Sequence, residues 1–244
     1  MHLFFATSSL SHLPLVQACS ELACLGRAGV ERGLIAAWGL QLCGGHRPLA
    51  PCGGGALRAE VEALLGDDGA LRVHHAFSWL DVAAPVWTHD GRLVPPLDLP
   101  AAPRTIHPPR HDAPETWVAE ARRAVQAGEI EAVEVMYRGY ALHSRAALAG
   151  WDLPIAVDVS HLHLWPDRSD PELWTFFRQM DLREVHVSHN EGRADDHRPL
   201  RPDTFGLAWA AERGRAGVPV VLECVMRGMP VEYRLRQLEL LADA

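Results

Sequence analysis

The chain contains no lysine: all 23 of its basic residues, in 244 positions, are arginines. Without a lysine amine, Schiff-base catalysis is excluded, and so is a phosphate-binding loop of the Gly-Lys-Ser type. The formal net charge is −8, and no dense basic run is present in the sequence. Proteins that bind nucleic acids neutralise phosphates with clustered basic residues, so the composition disfavours a nucleic acid as partner.

Cysteines are few, and their spacing suggests no pairing. Cys19, Cys24, Cys43, Cys52 and Cys224 are odd in number and form no C-x-x-C pair. The pattern therefore indicates neither a disulfide framework nor a zinc finger. No apolar stretch approaches the ~20 residues of a membrane span, and the apolar N-terminal residues lack the positive charge of a signal peptide. We therefore expect a cytoplasmic protein that does not associate with membranes.

The order of apolar segments predicts one (β/α)8 (TIM) barrel domain over residues 1–244. From about residue 102 onward, β-rich runs alternate with amphipathic segments of helix length, a pattern typical of parallel strands joined by helices. The predicted strands are 3–6, 33–38, 71–77, 104–107, 132–136, 154–159, 184–188 and 218–224. The predicted helices are 15–27, 57–65, 114–127, 142–149, 171–180, 204–215 and 231–243. Eight strands close such a barrel, which typically occupies roughly 250 residues.

Acidic and imidazole side chains recur at or just beyond the ends of the later strands. The set consists of His75, His107, Glu134, Asp158, His161, His186, Asp195, His197 and Glu223. In a barrel of this kind the carboxyl ends of the strands converge on one mouth, where chemistry takes place. Burying so many acids and imidazoles is costly unless a cation compensates them, so the sequence predicts a metal centre at this mouth.

Four further imidazoles lie near the predicted ligands in the sequence: His74, His111, His163 and His189. We interpret them as hydrogen-bond partners of the ligands or as solvent-facing groups. Either His74 or His189 could replace a neighbouring predicted residue as a metal ligand.

The order of the predicted ligands resembles that of the xylose-isomerase-like barrel superfamily, which includes endonuclease IV and many sugar isomerases and epimerases. The resemblance covers residues from about 70 to 224. In the isomerase and epimerase branch, it implies that Glu134, Asp158, His186 and Glu223 bind one divalent ion. It also implies that the two glutamates move protons at adjacent carbons of a small polyhydroxylated substrate. Arg193, in the loop after His186, would hold a substrate oxygen.

Two other branches remain open. Resemblance to endonuclease IV implies that all nine residues hold two or three zinc ions for phosphodiester hydrolysis. Resemblance to the multinuclear non-haem iron oxidases implies oxidation of a peptide. His186-x-x-His189 and Asp195-x-His197 fit that pattern, although Val135-Met136-Tyr137 departs from it. Imidazole and carboxylate ligands suit several metals, so the spacing leaves open Mn, Zn, Fe, Mg or Co, and one to three ions.

Overall fold

In the residues that the structure describes, eight parallel strands close into a barrel. This computed structural model describes residues 1–43, 54–75, 86–87, 93–94, 102–113 and 115–244, with the backbone alone of 54–58, 75, 86–87 and 93–94. The strands are β1 (His2–Ala6), β2 (Ala37–Cys43), β3 (Gly69–His75), β4 (Val86–Trp87), β5 (Leu93–Val94), β6 (Arg104–Ile106), β7 (Ala132–Val135), β8 (Ile155–Asp158), β9 (Leu182–Val187) and β10 (Val220–Leu222). The barrel order is β1-β2-β3-β6-β7-β8-β9-β10, with β10 paired to β1, whereas β4 and β5 form a separate antiparallel pair. The predicted (β/α)8 barrel is confirmed.

Helices connect the barrel strands and cover their outer faces. They are α1 (Leu15–Glu31), α2 (Gly54–Leu65), α3 (Glu115–Gln126), α4 (Val159–His163), α5 (Leu173–Arg178), α6 (Leu207–Arg215) and α7 (Val231–Asp243), with a 3-10 turn at Thr7–Leu10. The apolar positions of α7 that the sequence pattern singles out, Leu235, Leu238 and Leu241, are buried. Strands β7 and β8 are buried along their whole length, as expected of parallel strands covered on both faces. None of the helices in the described ranges is long and apolar enough to cross a membrane.

The second strand begins later than the sequence pattern predicts. The predicted strand is 33–38, whereas β2 begins at Ala37. The end of α1 takes up the preceding residues, because Gly33 at φ +70° lets the amide of Leu34 donate back to the carbonyl of Gly29 at 2.9 Å. The strand can therefore start only after this helix end is complete.

The predicted helix at 142–149 is wrong, because the segment forms turns instead. It lies between Gly139 and Gly150, which take φ values of +106° and +78°. Ser144 accepts a hydrogen bond from the amide of Ala147 through its side chain, and one helical bond joins Leu148 to the carbonyl of Ser144. The amides of Ala149 and Trp151 donate to the carbonyls three residues earlier, those of Ala146 and Leu148, so the segment closes as successive turns and not as an α-helix.

Two layers of polar side chains cross the barrel interior near the carboxyl ends of the strands. The lower layer contains Gln41, Arg72, Thr105 and Glu184, from β2, β3, β6 and β9, and all four are buried. Two residues further along the chain come Cys43, His74 and His186, on the same strands, and His107, directly after β6. Because side chains on a strand alternate between faces, each upper residue faces the same side as the one below it. The fold thus places a buried polar platform directly beneath the barrel mouth.

Candidate metal centre

The barrel mouth brings together carboxylates and imidazoles from strands three to eight of the barrel. His74 lies on β3, Glu134 on β7 and His186 on β9, while His107 follows β6, Asp158 ends β8 and Glu223 follows β10. His161 lies in α4, and Asp195 and His197 lie in the segment between β9 and α6. Glu134, Asp158 and His186 are completely buried. Eight of the nine residues that the sequence predicts as ligands are therefore joined by a network of contacts of 2.7 to 3.7 Å.

Glu134 occupies the middle of this group and contacts four imidazoles. Its Oε2 lies 2.7 Å from Nε2 of His107 and 2.9 Å from Nε2 of His74. Its Oε1 lies 3.3 Å from Nδ1 of His161 and 3.3 Å from Nδ1 of His186. One carboxylate thus faces donor atoms from four different barrel elements.

Several of these atoms are buried and, although they lie this close to one another, form no well-aligned hydrogen bond in the described part of the chain. They are both carboxylate oxygens of Glu134, Oδ2 of Asp158, Nε2 of His74 and Nδ1 of His186. A buried polar atom without a partner costs about 1–3 kcal/mol, and more if it is charged. Native proteins rarely leave such atoms unsatisfied without a reason, such as an ion. The donor set fits a cation, because a cation satisfies carboxylate oxygens and imidazole lone pairs at the same time.

Backbone contacts fix two of the donors. Asp158 caps α4, since its Oδ1 accepts the amide of Ser160 at 2.7 Å, and this leaves Oδ2 turned toward the centre. Nδ1 of His161 donates to the carbonyl of Val135 at 3.1 Å. Nε2 of His161 then faces Asp158 and Asp195, at 3.5 and 3.2 Å. The short helix α4, which the sequence pattern does not predict, therefore positions both side chains.

Among the described residues the donors form four overlapping groups, and within each group the ligand atoms lie within 4.8 Å of one another. The groups are Glu134, Asp158 and His186; His74, His107 and Glu134; Asp158, His161, Asp195 and His197; and Cys43, His74 and Glu223. Glu134 belongs to two groups and so does Asp158. Glu223 joins the first group through its Oε1, which lies 3.5 Å from Nδ1 of His186. The arrangement can therefore accommodate one to three cations that share carboxylates.

The electrostatics of the centre favour positive charge. Burial alone would lower the pKa of His161, but Asp158 and Asp195 raise it to about 10. Burial acts in the same way on His197, whose pKa the carboxylates of Asp195 and Glu223 raise to about 9. Burial would raise the pKa of Glu134, yet the neighbouring imidazoles hold it well below its usual range. Without a metal, protons supply the positive charge that these carboxylates attract.

At the end of β3, the imidazole that the structure brings into the centre is His74. The sequence predicts His75 as the ligand, and the side chain of His75 lies outside the described residues. His74 contacts Glu134 and also Glu223, whose Oε1 lies 3.5 Å from its Nδ1. We therefore place His74 in the candidate site, and His75 stays a prediction.

Arg193, predicted to hold a substrate oxygen, is exposed in the segment between β9 and α6. Among the described residues it forms no hydrogen bond or ion pair. His189 lies away from the centre, since its ring nitrogens face Thr204 at 3.2 Å and Glu191 at 3.4 Å. Neither His189 nor His163 belongs to a donor group within the ranges that the structure describes.

Two further residues reach the centre that the sequence pattern does not single out. Cys43 is buried beside His74 and Glu223, and the three donor atoms lie within 4.8 Å of one another. The ring of Tyr137 lies 5.0 Å from that of His161. Burial, with a further contribution from Asp195, raises the pKa of Tyr137 to about 12, so its hydroxyl remains a hydrogen-bond donor at neutral pH.

Solved structures share this architecture. The TTHB071 protein of Thermus thermophilus, from a crystal soaked with ZnCl2, is 19% identical with a TM-score of 0.55, over 100% of this chain and 98% of its own. D-Allulose 3-epimerase from Methylomonas sp. is 11% identical with a TM-score of 0.54, over 99% of this chain and 96% of its own. What they share is the fold. These likenesses therefore bear out the predicted (β/α)8 barrel, at the level of the fold alone. Neither a family model nor a curated protein sequence matches the chain.

Proposed function

We propose that the protein is a metal-dependent enzyme that isomerises or epimerises a small polyhydroxylated substrate. The observation that carries the proposal is the convergence of Glu134, Asp158, His186 and Glu223, several of whose buried atoms form no well-aligned hydrogen bond among the described residues. The likeness of the fold to a D-allulose 3-epimerase supports the same class of reaction.

The four residues suit a hard or borderline divalent cation such as Mn²⁺, Mg²⁺ or Co²⁺, because they offer three carboxylates and one imidazole. When bound, such a cation polarises a substrate carbonyl and the adjacent hydroxyl as a Lewis acid. The depth of the site supports a small substrate, since the donors lie inside the barrel mouth and not on an open surface. The metal and the substrate are both part of this proposal.

Glu134 and Glu223 are suited to move protons. Their Oε1 atoms lie 3.3 and 3.5 Å from the same atom, Nδ1 of His186, and the two residues come from β7 and from the end of β10. Burial would raise the pKa of Glu223, but His186 and His74 lower it to about 2, so it is ionised at neutral pH. One carboxylate can accept the proton from the carbon beside the carbonyl, and the other can return a proton from a second direction after taking one up from solvent; the first carboxylate then releases its proton to solvent.

Tyr137 and Arg193 complete the proposed substrate site. Tyr137 can donate a hydrogen bond from its protonated hydroxyl at the mouth. Arg193 stays the predicted partner of a substrate oxygen, and its exposed position requires the segment between β9 and α6 to bring it to the substrate.

The outer donor groups favour a second candidate function. The imidazoles of His74 and His107, and the group of His161, Asp195 and His197, exceed what one ion needs. Such donors are typical of centres with two or three ions. A zinc-dependent phosphodiesterase or an iron-dependent oxidase of a peptide would use them all.

Exchange of substrate hydrogen with solvent separates these functions. The protein loaded with Mn²⁺ or Co²⁺ is incubated with a panel of ketoses and aldoses in D₂O, and deuterium at carbon is measured by NMR. We expect incorporation beside the carbonyl. Glu134→Gln and Glu223→Gln should abolish it, while Glu120→Gln, on the exposed face of α3, should leave it unchanged.

Other outcomes contradict the first proposal. Iron in the purified protein together with oxygen consumption in the presence of a peptide would favour the oxidase. Zinc together with phosphodiester hydrolysis, and without deuterium incorporation, would favour the hydrolase. Full exchange activity in both glutamate variants would leave the assignment of the proton-moving residues wrong.

A further inference from the structure

A buried carboxylate lies directly beneath the candidate metal centre. Glu184 precedes His186 by two residues on β9, faces the same side of the strand and is completely buried. Its Oε1 accepts hydrogen bonds from Nε2 of His186 at 2.6 Å, from Oγ1 of Thr105 at 2.8 Å and from Nε2 of Gln41 at 3.0 Å. Its Oε2 accepts from Nε of Arg72. All four neighbours of this carboxylate are donors.

The bond between Glu184 and His186 determines which nitrogen of His186 is free. A neutral imidazole carries one proton, so donation from Nε2 to Glu184 leaves the lone pair on Nδ1. Nδ1 is buried and has no hydrogen-bond partner in the described ranges. It lies 3.3 Å from Glu134 and 3.5 Å from Glu223, the two glutamates of the proposed site. Once His186 is neutral, as a metal ligand must be, its Nδ1 lone pair therefore points at the metal centre.

The ion pair with Arg72 favours the ionised form of Glu184, which is the stronger acceptor for this bond. The guanidinium of Arg72 is buried; its Nε pairs with Glu184, and its Nη2 pairs with Glu131. A hydrogen bond to an ionised carboxylate is stronger than one to a neutral acceptor. It also raises the electron density that the imidazole offers to a metal.

We infer that Glu184 is a positioning residue that fixes the tautomer and the ring orientation of His186 as a metal ligand. The inference rests on the metal-binding part of the proposed function and does not depend on the reaction. A purely structural role, in which the ion pair with Arg72 only holds β3 to β9, would make the bond to His186 incidental. The geometry speaks against that role, because the ion pair with Arg72 uses Oε2, whereas His186 donates to the other oxygen, Oε1, at 2.6 Å.

The variant Glu184→Gln tests the inference. An amide at this place must turn its NH₂ group toward another donor, either Arg72 or His186, so the bond to His186 weakens or is lost. Glu131→Gln is the matched control, because it removes a carboxylate from the same guanidinium without touching His186. Co²⁺ binding to both variants is measured by calorimetry and by visible absorption.

We expect Co²⁺ to bind Glu184→Gln about 10- to 100-fold more weakly than wild type, and Glu131→Gln within about twofold of wild type. The Co²⁺ absorption bands should change in Glu184→Gln alone. In the zinc-loaded wild-type protein with ¹⁵N-labelled histidine, NMR should show the proton of His186 on Nε2.

Three results would overturn the inference: wild-type affinity in Glu184→Gln, an equal loss in Glu131→Gln, or a proton on Nδ1 of His186 in the zinc-loaded protein. If Glu184→Gln does not fold, Thr105→Val removes one bond to the same oxygen and should weaken Co²⁺ binding by a smaller factor; the wild-type NMR measurement then decides. A wild-type protein that does not bind Co²⁺ would end both this inference and the proposed function. Co²⁺ binding without exchange of substrate hydrogen would contradict the proposed reaction alone.

Discussion

Binding of a divalent cation to this centre should release protons. In the metal-free protein the pKa of His161 is about 10 and that of His197 about 9, because Asp158, Asp195 and Glu223 outweigh the effect of burial. At pH 7, groups with these pKa values are at least about 99% protonated. An imidazole must lose its extra proton before it binds a metal. A cation that binds to Asp158, His161, Asp195 and His197 should therefore displace about two protons.

The same reasoning gives the pH dependence of the affinity. Each proton that the metal displaces changes the apparent affinity tenfold for every pH unit below the pKa of the group. For two protons, a rise from pH 7 to pH 8 should tighten binding about 100-fold. The effect should fade as the pH passes about 9 and then about 10, where His197 and His161 lose their protons without the metal.

Calorimetry of Zn²⁺ binding at pH 7, in buffers that differ in ionisation enthalpy, counts the protons directly. The slope of the observed enthalpy against the buffer enthalpy should correspond to about two protons when this group fills. His197→Gln should lower the count by about one, while His12→Gln, which changes an exposed imidazole, should leave it unchanged. A slope of zero, with an affinity that stays constant from pH 7 to pH 8, would refute the reasoning.

Three further predictions concern the pH dependence of stability, the role of His74 and the packing of the first three barrel strands. The carboxylates that raise the pKa of His161 and His197 stabilise the metal-free protein, fully below pH 6.5, and this stabilisation is lost as the pH rises through about 9 and 10. The melting temperature of the metal-free protein should therefore fall over that window, and a rise would contradict the account. His74→Gln should reduce the metal retained after dialysis, measured by elemental analysis, while His12→Gln should not; equal metal contents would remove His74 from the site. Gly39→Ala should lower the free energy of unfolding by at least about 1–3 kcal/mol, because a Cβ there would collide with the ring of Phe4 and lie 2.7 Å from the carbonyl oxygen of Ala70. Urea titration measures this change, and an unchanged midpoint would argue against this packing of β1, β2 and β3.

Most of the barrel could be predicted because its strands and helices carry different periodicities. Helix α7 has the bounds that the pattern predicts, and seven of the eight predicted strands overlap their observed counterparts over most of their length. The second strand is misplaced because its apolar residues continue directly from the end of α1, and because Gln41 interrupts the run. Gln41 looks like a surface residue in the sequence, yet it is buried and donates to Glu184 across the barrel.

The sequence pattern could not distinguish between His74 and His75 as the ligand from β3. Strands of a parallel barrel are buried on both faces, so the apolar residues around Val-His-His do not reveal which imidazole faces the interior. The pairing of β3 with β2 and β6 places His74 opposite Cys43 and Thr105, and so shows that His74 faces the barrel interior. Glu184 is hidden from sequence reasoning for the same reason, since its role depends on donors from three other strands.

Anomalous X-ray diffraction from crystals soaked in Co²⁺ or Zn²⁺ tests the central claim most directly. We predict a strong anomalous peak bounded by Glu134, Asp158 and His186, within about 2.0–2.3 Å of their donor atoms, with further peaks beside it if the outer groups also bind ions. A metal-soaked crystal with no anomalous peak in the barrel mouth, and with these carboxylates and imidazoles hydrogen-bonded to one another instead, would contradict it.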